Sequence, residues 1–326
     1  MFNLFWRIIS WFATFGMFIG GIFTGANNND LISTYKKNVD SVALYCNEFE
    51  YAVPQTEIYD MISEHFDSAL PEGKTVKKAI VIGYDGCRAD ALSLINAEKV
   101  SAINTLAEEG GTVALSYCGG VNYPRINKQA TSTAPGWCSM LTGEWADVHG
   151  VTDNSIPKSN DHLTLLTTLV EDGTAEDSAF YVSWGGHFSS DDATYINEKH
   201  YIEEKGLDVN FLRAGDDNGT YANVMNDIKS ADCSDFIFSI FEFCDHAGHG
   251  SSFCIRNSEY ETAFYDAEAA GTDIINAIKA RETFAEEDWL IIITSDHGGY
   301  NSGHGGPTMQ ERFTFIASNK PFTVAE

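Results

Sequence analysis

The sequence predicts an α/β fold, with a largely parallel central sheet and helices on both faces, from three observations. Four short, almost continuously apolar runs recur along the chain: AIVIGYDG (79–86), AFYVSWGGH (179–187), FIFSIFEFCDHAGH (236–249) and WLIIITSDHGG (289–299). Runs without polar alternation are strands of a sheet covered on both faces. Stretches with helical spacing separate them, and strand, helix, strand in sequence argues a parallel sheet. A composition of 44% hydrophobic and 21% charged residues over 326 positions is that of a globular chain able to bury such a core.

The elements follow in order. After Arg7, Ile8 to Asn29 carries no charge, is apolar through Phe23 and passes through the small residues Thr24-Gly25-Ala26. Residues 1–26 are expected to be a signal peptide or an N-terminal membrane anchor through residues 8–26. The apolar run is long for a signal core and short for a spanning helix. Either form exports the remainder to the cell surface or the extracellular space. Residues 27–74, punctuated by Pro54 and Pro71, read as a linker with packing helices, and 75–326 as the α/β domain. Within that domain the spacing predicts helices over 100–111, over 161–173 with Asn160 or Asp161 as N-cap, and over 258–281 with an interruption at Gly271. TSTAPGWCSMLTG (131–143) reads on its own as a hydroxyl-rich turn opening a helix.

Charge narrows the function. The formal net charge of −27, from 47 acidic and 20 basic residues, argues against a duplex nucleic-acid binder. An anionic substrate would need something other than surface lysine, and bound metal ions can supply that charge. Seven cysteines (46, 87, 118, 138, 233, 244, 254) make an odd set without a CxxC pair. Buried free thiols are the default reading, with a bridge among Cys233, Cys244 and Cys254 open.

In a parallel sheet, ligands bind beyond the carboxyl ends of the strands. Three of the four runs end there in metal-ligand residue types: Asp85; Asp245 and His249; Asp296 and His297, with His304 seven residues on. A lone Asp after a strand is ordinarily a cap or turn former. Three aspartates and three histidines on one edge, flanked by Gly86, Gly248, Gly298 and Gly303, point instead to a shared metal site. Six ligands exceed the roughly three that a catalytic zinc takes from protein, so two divalent metal ions about 4 Å apart fit better. The mixed N and O donors suit zinc, with manganese as the alternative.

AIVIGYDGCRADAL, TAPGWCSMLTGEWADVHGVTDN, CDHAGHG and TSDHGG, in that order, resemble the alkaline phosphatase superfamily, and most closely its nucleotide pyrophosphatase/phosphodiesterase branch. The resemblance spans about residues 78–318 and implies an alkaline-phosphatase-like fold. It implies that Thr133, in register with Pro135 and Thr142-Gly143, is a nucleophile that also touches metal. One metal would then be held by Asp85, Asp296 and His297, and the other by Asp245, His249 and His304. Asn154 matches the asparagine that donates to a phosphoryl oxygen. Related sulfatases carry Cys or Ser at the position of Thr133, and Arg at that of Trp137. Better-known branch members have Lys at Ser132, Asn at Gly136 and a long insertion before the last histidine, where this chain has six residues.

The implied activity is metal-dependent hydrolysis of a small-molecule or lipid-linked phosphate ester, of phosphodiesterase or nucleotide pyrophosphatase type. A phosphomonoesterase or surface phosphotransferase of the same superfamily is the nearest alternative, and a non-catalytic metal- or anion-binding surface protein the alternative of another class. Cys244 is adjacent to Asp245, yet neighbours on an extended segment point apart and only Asp245 would face the metal. His187 and His246 read as local hydrogen-bonding residues. Trp137, Tyr123 and Trp184 read as core aromatics or as walls for a leaving group.

Overall fold

Val76–Tyr84 forms the central strand, β2, and its side chains alternate between two cores: Ile80, Ile82 and Tyr84 enter one, Ala79 and Val81 the other. The computed structural model describes residues 52–95, 100–120 and 129–324. The other strands are β1 (Ala52–Pro54), β3 (Thr112–Tyr117), β4 (Ser178–Val182), β5 (Val209–Arg213), β6 (Phe236–Phe241), β7 (Glu287–Thr294) and β8 (Phe313–Ser318). They make one sheet of order β1-β3-β8-β7-β2-β6-β4-β5. Only β8 runs against its neighbours; the other pairings are parallel.

The α-helices longer than one turn are α1 (Glu57–Asp67), α2 (Ala102–Glu108), α3 (Thr133–Thr142), α4 (Leu165–Glu171), α5 (Ile196–Lys205), α6 (Asp217–Ile228), α7 (Phe243–Gly250) and α8 (Ser258–Lys279). Residues of α2, α6 and α8 fill the first core, and residues of α1, α3 and α4 the second. Both faces are covered, as continuous apolar strands require.

Four elements depart from the sequence reading. The run 236–249 is not extended throughout: β6 stops at Phe241 and α7 begins at Phe243. Helix α4 starts at Leu165 with Thr164 as N-cap, because Thr164 and Thr167 turn to the buried Glu198 carboxylate, which accepts from both hydroxyls and from the Thr164 N–H. Gly271 does not interrupt α8; a Cβ there would collide with the Tyr84 hydroxyl, which donates to Glu268 at 3.1 Å. From the segment read as linker, α1 packs on the second face, while β1 pairs with β3 as a strand of the sheet itself, so the sheet begins upstream of residue 75.

Residues 1–51, with the signal or anchor segment, lie outside the described residues. Among the described residues no helix is long and apolar enough to cross a membrane.

Candidate metal centre

The first ligand group is built where β2 and β7 end side by side. The Asp85 N–H donates to the Phe241 carbonyl at 2.8 Å, continuing the β2–β6 ladder one step past the strand. Gly86 then takes φ 67°, and a Cβ there would come within 2.9 Å of Asp245, so both the turn and the close approach require glycine. Asp85 Oδ2 accepts from the Trp137 indole N–H at 2.9 Å, and Asp296 Oδ1 accepts from the Gly86 N–H at 3.2 Å. The remaining oxygens, Asp85 Oδ1 and Asp296 Oδ2, lie 3.5 and 3.4 Å from His297 Nε2. All three residues are fully buried, and these three atoms have no hydrogen-bond partner.

The protonation pattern decides what that convergence means. His297 Nδ1–H donates to the Gly298 carbonyl at 2.7 Å, so Nε2 carries the lone pair of a neutral ring. Burial pushes the His297 pKa well below its ordinary value, with His304 adding to the effect. Burial, then the neighbouring Asp296, pushes Asp85 well above the carboxylate range, and burial does the same to Asp296. Three such atoms facing one another without a hydrogen-bond partner are costly in a dry interior. A cation among them removes that cost.

The second group is arranged alike. Asp245 and His249 are four residues apart on α7 and share its face, with His249 Nε2 3.4 Å from Asp245 Oδ2. His304 Nε2 lies 3.5 Å from Asp245 Oδ1 and 3.1 Å from His249 Nε2. Their other nitrogens donate to carbonyls, His249 Nδ1–H to Ser302 and His304 Nδ1–H to Thr131, each at 3.0 Å. All three histidines thus turn Nε2 inward and fix the tautomer through the backbone, the arrangement that metal-ligating histidines show. Zinc ligands about 2.0–2.1 Å from a tetrahedral ion stand roughly 3.3–3.4 Å apart, and the spacings here run from 3.1 to 3.5 Å. His297 also falls within the group of Asp245 and His304, with its ring stacked on His304 at 4.0 Å.

The six-residue spacer before His304 closes because Tyr300 and Gly303 pair as a tight bridge, with Asn301 at φ 53°. Thr133 is the first residue of α3 and is buried. The helix approaches Asp296 so closely that a Cβ on Gly136 would meet the Asp296 Cβ at 2.8 Å, so the contact requires glycine there. Asn154 Oδ1 accepts from the Ala134 N–H at 2.8 Å, which holds the side chain at the N-terminus of α3. The loop beyond Asn154 is pinned by a fully buried Lys158–Glu198 ion pair at 2.9 Å.

Other residues behave differently from the sequence reading. Cys244 is fully buried in the first core, because one helical step turns it away from Asp245. His187 is fully buried among Phe180, Trp184 and Tyr195 with neither nitrogen hydrogen-bonded, and burial pushes its pKa down to about 3; it packs as an aromatic and makes no local hydrogen bond. His246 is largely exposed, 3.6 Å from Glu242. Trp137 lies wholly beneath the site and is no wall for a leaving group; Gly83 makes room for its ring. Tyr123 lies outside the described residues. Among the described residues, Cys87, Cys118, Cys138, Cys233, Cys244 and Cys254 are free thiols.

Sequence reasoning misses two residues here. Trp137 orients Asp85, a role signalled only by the rule that a buried indole N–H finds an acceptor. Glu242, the first residue beyond β6, is buried with Oε1 unpartnered and is pushed up to about 8 by burial, then by Asp245. Trp137→Phe removes the donor to Asp85 Oδ2 and is expected to weaken binding of the first ion about 10–100-fold, read by chelator competition. Unchanged affinity would show that the indole only packs.

With the geometry in place, comparison with known proteins is direct. No curated protein sequence matches the chain. Among solved structures, a 2-O GAG sulfatase resembles it with a TM-score of 0.52 and 10% identity, over 76% of this chain and 65% of that one. The phosphonate monoester hydrolase of Agrobacterium radiobacter resembles it with a TM-score of 0.50 and 14% identity, over 74% of this chain and 68% of that one. At such identities the likeness is one of fold, the alkaline-phosphatase-like α/β fold. The chain spans 65% of the length of the sulfatase it matches. The family model for type I phosphodiesterase/nucleotide pyrophosphatase matches residues 79–303, a range that holds Asp85, Thr133, Asp245, His249, Asp296 and His297, and the chain belongs to that family.

Proposed function

We propose that this chain hydrolyses phosphate diesters, with Thr133 as nucleophile and two divalent cations held by Asp85, Asp296 and His297 and by Asp245, His249 and His304. The observation that carries this reading is the pair of converging carboxyl and imidazole groups beside the N-terminus of a helix that begins with Thr133. When bound, the cations, zinc by the donor set with manganese as the alternative, supply positive charge at the phosphoryl oxygens and at the attacking hydroxyl.

The protein's own part is positional. The first turn of α3 directs the positive end of its dipole at an anion placed there. Asn154, held through Oδ1, has its amide N–H groups free to donate to a non-bridging oxygen. Thr133 Oγ forms a bond to phosphorus as the bond to the leaving alcohol breaks; the hydroxyl proton leaves and the alcohol takes one up. Water then attacks phosphorus, the Oγ–P bond breaks and Thr133 is restored.

A substrate that is a small-molecule or lipid-linked ester, not a nucleic-acid duplex, agrees with the charge of −27. Zinc-loaded protein is expected to turn over bis-p-nitrophenyl phosphate at least about tenfold faster, in kcat/KM, than p-nitrophenyl phosphate. A faster monoester makes it a phosphomonoesterase; no turnover of either ester supports a non-catalytic binder.

We also propose export, supported by the uncharged segment after Arg7. A reporter fused after residue 51 should be found outside the cytoplasm, and cytoplasmic retention would refute this.

A further inference from the structure

Phe253 ligates nothing in this site, yet both exposed-side histidines lean on it. Its ring is buried, 5.3 Å from the His249 ring at 83° and 6.0 Å from the His304 ring at 81°, both within the range of edge-to-face pairs. Glycines cradle it: a Cβ on Gly248 would come within 2.5 Å of the ring, and one on Gly299 would collide with it outright. Its backbone is held at both ends, the N–H by the Asn301 carbonyl at 2.6 Å and the carbonyl by Arg88 Nη1 at 2.6 Å. Arg88 is itself clamped to Asp90 at 2.8 and 2.5 Å. Phe253 therefore joins the turn after Asp85, the hairpin before His304 and the end of α7.

An imidazole turns about a broad, soft torsion, and one Nδ1–H bond leaves it able to swing. The problem is sharpest at His249, whose side chain is 47% exposed and is tied only to the Ser302 carbonyl on its outer side. We propose that Phe253 is the positioning residue of the second cation site: its ring is the wall that keeps His249 and His304 turned with Nε2 toward a divalent cation. This rests on the two-cation reading above. It assigns to the segment after α7 a role in metal affinity that core packing alone would not require.

The test uses the full chain, zinc alone as ligand, and a competing chelator, so no turnover is needed. Phe253→Ala is expected to bind the first ion within about twofold of wild type and the second about 10–100-fold more weakly. Phe253→Leu, which keeps most of the volume, should recover part of that loss and covers the case in which the alanine variant does not fold. Phe264→Leu, at a buried ring of α8 that pairs with Tyr265, controls for general core damage and should leave second-ion affinity unchanged at a similar drop in Tm. Two ions bound equally well by wild type and Phe253→Ala overturn this inference alone. So does a Phe264→Leu variant that weakens the second ion as much as Phe253→Leu does. A wild-type chain that takes up a single ion overturns the two-cation reading and this inference with it.

Discussion

Alanine at His297 is expected to strip the protein of both cations and to abolish turnover, because this imidazole stands between the two groups. Its Nε2 faces Asp85 and Asp296 at 3.5 and 3.4 Å, and the same residue falls within the group of Asp245 and His304. Removing it deletes one ligand and the ring against which His304 stacks at 4.0 Å. His249→Ala, by contrast, touches only the second group and should cost one ion. Metal content after exhaustive dialysis separates the variants: close to two ions per chain for wild type, one for His249→Ala and none for His297→Ala. Retention of one ion by His297→Ala would mean that the ring serves a single site.

Alanine at Thr133 is expected to do the opposite, leaving metal and fold while turnover falls by at least about a thousandfold. The ligand groups contain three acidic or imidazole residues each without Thr133, so cation binding survives loss of its hydroxyl. The backbone at Thr133 and the cap from Asn154 to the Ala134 N–H do not depend on the side chain. Thr133→Ser keeps the oxygen and should keep measurable turnover. Ser132→Ala should cost far less, since Ser132 Oγ sits 3.4 Å from His304 Nδ1 and that nitrogen keeps its bond to Thr131. A Ser132→Ala loss as deep as that of Thr133→Ala would move the nucleophile by one residue.

How legible the site was in the sequence follows from where each residue sits. Asp85 and Asp296 terminate long buried strands, and a continuous apolar run that stops at Asp-Gly or Asp-His is a strong signal. Asp245 and His249 were recognisable as residue types, but not as neighbours on one helix face. Phe243 and Cys244 extend the apolar run of β6, and eight residues are too few for the helical period to declare itself. Three of the four strands overlooked have local reasons. β1 is three residues at the sheet edge, β5 is a largely exposed edge strand reading VNFLR, and β8 is the one antiparallel member, following a connection that carries His304 instead of a crossover helix. The supporting contacts of Trp137 and Phe253 could not be read ahead of the fold. Each depends on glycines remote in sequence, Gly83 for one and Gly299 for the other, that open space for the ring.

The central claim is that the Thr133 oxygen attacks phosphorus, and the most direct measurement is to trap the adduct. Zinc-loaded protein would be quenched in acid during turnover of a diester, digested, and the peptide spanning residues 126–144 sequenced by mass spectrometry. The expected result is a phosphoryl group, or the substrate's phosphoryl ester, on Thr133 and on no other hydroxyl of that peptide. Label on Ser132 or Ser139, or an unlabelled peptide together with undiminished turnover by Thr133→Ala, would contradict it.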